Sequence, residues 1–351
     1  MRTLLVMAGG TGGHVFPGLA VADLLRSRSW HVVWMGARSG LEARIVPPRG
    51  YEMAWVRFAA LRGKGLLRKL LLPLHLLSAC AQALCAIRRV RPDVALGMGG
   101  YVSFPGALMA VLCGCPLIIH EQNSIAGLAN RVLARFARRV ASGFPDVLPD
   151  ALWVGNPLRP EMSSLPAPAD RLAGRSGPLN LLVLGGSQGA AALNEVVPRG
   201  LALIDGAERP RVLHQAGTRH LERLRDEYQA AGVEADCVAF IEDMAAAYAW
   251  ADLVICRAGA LTIAELAAVG VASVLVPFPY AVDDHQTRNA RFLSEAGAAI
   301  LLPQDRLTPQ AICEIQRLAR AELLQMALRA RELARPKATG ELARICEEVA
   351  R

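Results

Sequence analysis

Several signatures that would place a chain of this length in a common class are missing. No two of the eight cysteines have the Cys-x-x-Cys spacing of a redox pair or zinc knuckle, and the Cys113-x-Cys115 pair suits neither. The thiols sit mostly in apolar runs, as buried reduced cysteines do. Aromatic residues make up only 5% of the chain, and no basic stretch interleaved with them reads as a nucleic-acid surface. Neither Gly-x-Gly-x-x-Gly nor Gly-x-x-x-x-Gly-Lys-Ser/Thr occurs. The second strand-like run ends VVWMGARSG, without the acidic residue that would hold a ribose of NAD, so a dehydrogenase and a P-loop nucleotide hydrolase are both disfavoured. The opening MRTLLVMAGG is too short an apolar core for a secretion signal, which points to the cytosol. Residues 70–87 lack any formal charge between Arg68, Lys69 and Arg88, Arg89, close to a membrane-spanning length. Pro73, His75, Ser78 and Gln82 favour instead a helix that is buried or lies on a surface.

What is present is a 351-residue chain with 53% hydrophobic residues, more than one core usually organises, so two domains are expected. The net charge of +8 is uneven: residues 1–156 carry 18 Lys and Arg against 7 Asp and Glu, the remainder 21 against 24. A basic first half suits a phospholipid surface or a phosphorylated substrate, with nucleic acid the least suited of the anionic partners. Strand-length apolar runs at 3–8, 31–36, 93–97, 116–120, 179–184, 211–215, 237–241, 252–256, 272–276 and 298–302 alternate with helical-period stretches. The latter include 17–28, 103–113, 125–138, 189–204, 218–231, 260–269, 286–296 and 309–333. This alternation predicts an α/β fold of parallel sheets covered by helices. The proline-rich residues 155–178 read as an interdomain connection. On each side of it the chain restarts with a strand, Gly-Gly, a hydroxyl residue and a further Gly: GGTGG at 9–13 and GGSQG at 185–189. Two Rossmann-like domains facing a central cleft are expected, at 1–156 and 157–336, with a last helix at 337–351 crossing back to the first.

A glycine-rich turn from strand into helix lets backbone N–H groups approach an anion, and the helix N-terminus adds roughly half a positive charge. Phosphate or pyrophosphate is the natural guest, although either loop alone could be a tight turn with no ligand. With the nucleotide classes above set aside, sugar nucleotides and lipid pyrophosphates remain. The richest stretch is DLVICRAGALTIAELAAVGVASVLVPFPYAVDDHQTRN, 252–289. There Ala260, Leu261 and Thr262 open a helix, and Glu265, one turn in, can accept both hydroxyls of a ribose. Asp283, Asp284, His285 and Gln286 begin the next loop and helix, placed to touch a sugar.

GGTGGHVFPGLAVA, LRGKG, GMGGYVS, HEQN, VGNPLR, GGSQGA, FIEDMAAAYAWADLVICRAGALTIAEL and the Asp-His-Gln-x-x-Asn-Ala run follow one another over almost the whole chain. Together they resemble the MurG family of bacterial glycosyltransferases. The resemblance implies a GT-B fold and transfer of N-acetylglucosamine from UDP-GlcNAc to the undecaprenyl-pyrophosphoryl-MurNAc-pentapeptide lipid I, giving lipid II for peptidoglycan. It implies donor contacts at Thr11, Gly12, Gly13, Asn123, Arg159, Ser187, Ile241, Ala260, Leu261, Thr262, Ile263, Ala264, Glu265 and Gln286. The last loop is one residue longer than in some members, so His285 could share the sugar with Gln286. Phe104, in the acceptor loop, stands where several relatives have a small residue. No cofactor is implied, and the chain is expected at the cytoplasmic face of the inner membrane, against anionic lipid and cell-wall synthesis and division proteins.

Transfer in this family inverts the anomeric centre, which requires a base for the attacking hydroxyl and stabilisation of the departing UDP. No Asp-x-Asp occurs, so no metal is expected, and helix N-termini around Ser187 and Ala260, with Arg159, would carry that charge. His14 is one candidate base, because imidazole exchanges protons near neutrality. Glu121 is the other. His14, Tyr101 and Ser103 are candidate acceptor contacts, and Leu61 to Leu77 with Arg62, Lys64, Arg68 and Lys69 fits a helix on an anionic membrane. A UDP-sugar epimerase would share the donor motifs without a lipid-facing basic surface. A non-catalytic scaffold would not need Glu265 or Gln286.

Overall fold

The computed structural model describes residues 1–58, 72–186 and 189–350. The chain divides into two compact units, Met1–Arg159 with Pro336–Arg351, and Pro160–Arg335. Unit 1 holds β1 (Thr3–Met7), β2 (His31–Gly36), β3 (Glu52–Trp55), β4 (Val94–Gly97), β5 (Leu117–Glu121), β6 (Arg139–Ser142) and β7 (Leu152–Trp153). Among the described residues these form one parallel sheet in the order β3-β2-β1-β4-β5-β6-β7. Parallel strands need crossover helices that cover both faces, so the central strands are apolar at successive positions instead of alternating. Leu4, Leu5, Val6 and Met7 are all 0% exposed. Leu4 and Val6 pack on one face with the helices Gly12–Ser27 and Ala338–Val349, and Leu5 and Met7 on the other with Leu72–Val90 and Ser103–Leu112. Ala338–Val349 is thus integral to unit 1: Leu342, Ala343, Ile345 and Cys346 are in its core, and Glu347 pairs with Arg28 at 2.8 Å.

Unit 2 holds β8 (Asn180–Leu184), β9 (Arg211–Gln215), β10 (Asp236–Val238), β11 (Leu253–Cys256), β12 (Ala272–Leu275) and β13 (Ala299–Leu301). They pair in parallel in the order β10-β9-β8-β11-β12-β13. In both units the winding reverses beside the first strand, between β1 and β4 and between β8 and β11. At such a reversal the loops beyond the strand ends diverge and open a crevice, which is where doubly wound sheets bind ligands. Both glycine loops lie at these points.

The expected α/β class with two parallel-sheet Rossmann-like halves is borne out, while several elements differ. The first helix begins at Gly12, not at residue 17, with Pro17 inside it. Residues 309–333 form two helices, Pro309–Ile315 and Arg320–Glu332, and the stretch at 125–138 contains only Leu128–Leu133. β3, β6 and β7 are short and were not anticipated. From Pro160 onward the proline-rich tract is part of unit 2: Arg171 donates to Val269 O (2.9 Å) and to Gly270 O, closing the C-terminal end of the helix Ala260–Val269. The basic leucine-rich residues up to 71 lie outside the described residues. The helix Leu72–Val90 follows, and among the described residues no helix is long and apolar enough to cross a membrane.

Two buried polar clusters brace unit 2. Asp252, 1% exposed, accepts from Arg175 (2.7 Å), Arg320 (3.3 Å) and the Asn180 amide (2.9 Å). Arg175 also donates to Ala249 O and Trp250 O. On the far side of β8, His214 sits 3.1 Å from Asn194 Oδ1 and 2.9 Å from the Tyr228 hydroxyl. Asn194 Nδ2 donates to Ala216 O, so its oxygen faces the ring, Nε2 carries the proton, and Nδ1 accepts from Tyr228. This ties the helix after the second glycine loop to β9.

Burial lowers His214 to about 3, and burial likewise lowers His120 of unit 1 to about 4. Both are neutral when folded and would charge near pH 6.5 when unfolded. The unfolded chain therefore binds more protons below that pH, and stability present above pH 6.5 is lost as pH falls toward 4 and 3. Each histidine contributes a loss of up to about 1.4 kcal/mol per pH unit in that window. The melting temperature is expected to fall from pH 7 to pH 5, and less steeply in His214→Phe. Equal slopes for the two proteins would refute the assignment.

Candidate active site

In unit 1 the crevice is lined by the loop after β1 and the loop after β4. Thr11 is the N-cap of the helix Gly12–Ser27, exposed, and its side chain makes no capping bond. The first intrahelical bonds are made by the His14 and Val15 amides to Thr11 O, so the Gly12 and Gly13 amides precede them at the positive end of the helix. The two loops touch at Gly100, where φ is +84° and a Cβ would lie 2.2 Å from Gly9 O; only glycine permits that approach.

A residue that sequence reasoning missed holds this loop from beneath. Glu42 is 0% exposed and accepts from the Gly10 amide (3.0 Å) and the Ala37 amide (2.9 Å). A Cβ at Gly9, Gly36 or Gly40 would come within 2.5, 2.7 or 2.1 Å of it. Its only sequence signal is an acid a few residues beyond β2, and the group turns inward onto the chain's own amides. Tyr101 is half-buried against Gly10 and 6.3 Å from the Phe58 ring. Burial, with the Glu42 charge adding to it, raises its phenol above the ordinary value and keeps it protonated.

Ser103, expected as an acceptor contact, is turned inward. It is 1% exposed, its hydroxyl donates to Met7 O (2.7 Å) with Gly99 O also in reach, and its amide donates to Gly100 O. It staples the β4 loop to β1.

His14, half-buried, lies with Nδ1 3.0 Å from Gln122 Oε1. Glu121, at the end of β5, is 3% exposed and does different work. Oε1 accepts from the Asn123 amide (3.0 Å) and side chain (3.3 Å), and Oε2 from the Gly127 amide (3.1 Å) and Asn130 Nδ2 (2.8 Å). Four donors occupy both oxygens of Glu121, the second candidate base, and through them it folds the loop and turns Asn123. His120 is 0% exposed, with Nε2 donating to Gly155 O at 2.9 Å. Arg159 is exposed at the edge of unit 1.

In unit 2 the helix Ala260–Val269 starts at the end of β11 with Gly259 as N-cap. Its first bond runs from Ile263 N to Gly259 O, which leaves the Leu261 and Thr262 amides ahead of it. Ile263, expected as a donor contact, uses its amide there, and its side chain is 1% exposed in the core. Ala264 lies within the helix, half-buried. Glu265, also half-buried, is held by the hydroxyl of the buried Tyr248, which donates to Oε2 at 3.0 Å. Tyr248 was not singled out either: it lies inside the FIEDMAAAYAWADLVIC run, which gives no sign along the chain that it touches Glu265. Ile241 is 8% exposed beside the exposed Phe240, and Asp243 caps the helix Met244–Trp250 by accepting from Ala246 N (2.9 Å). Gln286 Oε1 accepts from the Phe278 amide at 2.9 Å, which aims its NH2 end the other way. Arg257 braces the same loop through Val276 O and Pro277 O. Ser187 lies outside the described residues.

These are the loops and helix ends of a nucleotide-sugar transferase. Residues 4–142 match the N-terminal domain and residues 180–342 the C-terminal domain of glycosyltransferase family 28, and the chain belongs to that family. It is 62% identical over 350 residues to a protein of Dechloromonas aromatica (strain RCB) and 65% identical over 351 residues to one of Azoarcus sp. (strain BH72), covering 100% of this chain and 99% of each relative. Both are named UDP-N-acetylglucosamine--N-acetylmuramyl-(pentapeptide) pyrophosphoryl-undecaprenol N-acetylglucosamine transferase. The crystal structure of Acinetobacter baumannii MurG matches with a TM-score of 0.87 at 39% identity, over 99% of this chain and 100% of that one. The resemblance to the MurG family and the expected GT-B fold are both borne out.

Proposed function

We propose that this chain transfers N-acetylglucosamine from UDP-GlcNAc to the 4-hydroxyl of MurNAc in lipid I, inverting the anomeric centre in one displacement and giving lipid II. The observation that carries this reading is the full-length identity of 62% and 65% to proteins named for that transfer. Unit 2 binds the donor: the backbone at Ile241 reads the uracil, Glu265 accepts the ribose hydroxyls, and the NH2 end of Gln286 addresses the sugar, with His285 beside it. The amides of the first turn, Ala260, Leu261 and Thr262, together with Ser187, receive the pyrophosphate. Unit 1 binds the acceptor and the rest of the donor, through Thr11, Gly12, Gly13, Asn123 and Arg159, with Tyr101 lining the acceptor side.

Chemistry then divides between two groups. His14 takes the proton from the attacking hydroxyl, which raises its nucleophilicity as the bond to UDP lengthens. The charge that develops on UDP is met by the positive end of the helix Ala260–Val269 and by Arg159, dipoles and a cation already in place. No metal ion is called for in this scheme.

Unit 1 also faces the membrane in this reading. The helix Leu72–Val90 exposes Leu74 and Leu77 and ends in Arg88 and Arg89, and residues 1–156 carry the excess of basic side chains. Such a surface adheres peripherally to anionic lipid on the cytoplasmic face, where lipid I is presented, each basic residue contributing about 1 kcal/mol.

Transfer of radiolabel from UDP-GlcNAc to a lipid I analogue tests the whole. Product is expected with acceptor present and to the same extent in EDTA. Consumption of UDP-GlcNAc without acceptor would identify an epimerase instead, and turnover abolished by EDTA would overturn the account of the leaving group.

A further inference from the structure

We infer that Gln122 is a positioning residue that fixes the tautomer of His14, presenting Nε2 as the proton-accepting nitrogen; the inference deepens, and its catalytic part rests on, the reading of His14 as base. The argument is one of donors and acceptors. Gln122 is 1% exposed, and its Nε2 donates to Met98 O at 2.8 Å. A carbonyl oxygen can only accept, so the NH2 end of the amide must face Met98 and the oxygen must face His14. That oxygen, 3.0 Å from His14 Nδ1, can only accept as well. The neutral ring is therefore obliged to carry its hydrogen on Nδ1, which leaves the lone pair on Nε2, on the opposite side of the imidazole. A neutral histidine in water prefers the reverse arrangement, with hydrogen on Nε2. That form would set two lone pairs against each other here and leave the outer nitrogen unable to accept a proton.

The contact is held from three sides. Asn156 Nδ2 donates to Gln122 O at 3.0 Å, and β5 ends one residue before Gln122. Gly99, with φ +90°, closes over the pair: a Cβ there would lie 2.9 Å from His14 Nδ1 and 3.4 Å from Gln122 Oε1. When Nε2 takes up a proton, Nδ1 still donates to Gln122, so the pairing survives the step it prepares. A neutral amide in this place orients the ring as a carboxylate would, while adding no charge that would hold the proton on it afterwards.

The test is nitrogen NMR on the full-length protein labelled with 15N-histidine, with His14 assigned by its loss in His14→Ala. The inference expects a protonated, pyrrole-type Nδ1 and a bare, pyridine-type Nε2 at neutral pH in the unsubstituted protein. The opposite tautomer would overturn it. In kinetics, Gln122→Leu is expected to lower kcat about tenfold or more with donor KM little changed. On a His14→Ala background Gln122→Leu should cost nothing further, since it acts through the ring. An equal loss on both backgrounds would show a merely structural role and overturn the inference. Wild-type turnover by His14→Ala would remove the base reading and with it the catalytic part, while the NMR result would still decide the tautomer.

Discussion

Asp252→Ala is expected to destabilise unit 2 by about 3–5 kcal/mol, the usual consequence of removing one member of a buried ion cluster. In a domain of this size that lowers the melting temperature by about 10 °C or more. The effect is large because the carboxylate, 1% exposed, is the common acceptor for Arg175, Arg320 and the Asn180 amide. Its loss strands two guanidinium groups whose side chains are only 20% and 28% exposed. Asp252→Asn keeps an oxygen for the Asn180 amide and should lose less. Arg199→Ala, which breaks exposed pairs to Glu195 and Glu227, should change little. Calorimetry of the full chain measures all three, and a shift for Asp252→Ala no larger than that for Arg199→Ala would contradict the assignment.

His14→Ala should reduce kcat by about 100- to 10,000-fold, the range a positioned general base supplies, with donor affinity largely retained. Glu121→Gln should behave otherwise. The amide would turn an NH2 group toward two of the four N–H donors now satisfied by the carboxylate, a loss of about 1–3 kcal/mol in stability. Its turnover should fall with the folded fraction and recover at lower temperature. A Glu121→Gln protein of unaltered melting temperature that had lost turnover as completely as His14→Ala would restore Glu121 as the base.

Much of this architecture was legible because it rests on local signals. Strands buried on both faces are continuous apolar runs, and the turns between them are glycine clusters, so β1, β2, β4, β5 and most of unit 2 could be placed within a residue or two. β3 and β7 could not, because edge strands of four and two residues carry too little pattern. The motifs point to loops, and the structure shows how individual atoms within them are used. Ser103 and Ile263 stand at helix starts where anions bind, yet one hydroxyl is spent on backbone carbonyls and the other side chain faces the core. Glu42 reaches the first glycine loop and Gln122 reaches His14 from segments distant in sequence, and Tyr248 reaches Glu265 from the helix before β11. Nothing along the chain announces such a partner, since a hydrogen bond over 32 or 108 residues exists only once the sheet has formed.

The place of Ala338–Val349 in the core of unit 1 has a bearing on how the protein is made. Unit 2 is one continuous stretch and has all its strands as soon as the ribosome has passed them. Unit 1 is interrupted, and one of the two helices that pack on the face of Leu4 and Val6 is synthesised only after all of unit 2. Until then part of that apolar face is open to water and to other nascent chains. Unit 2 is thus free to mature first, while unit 1 waits on a late helix to shield it.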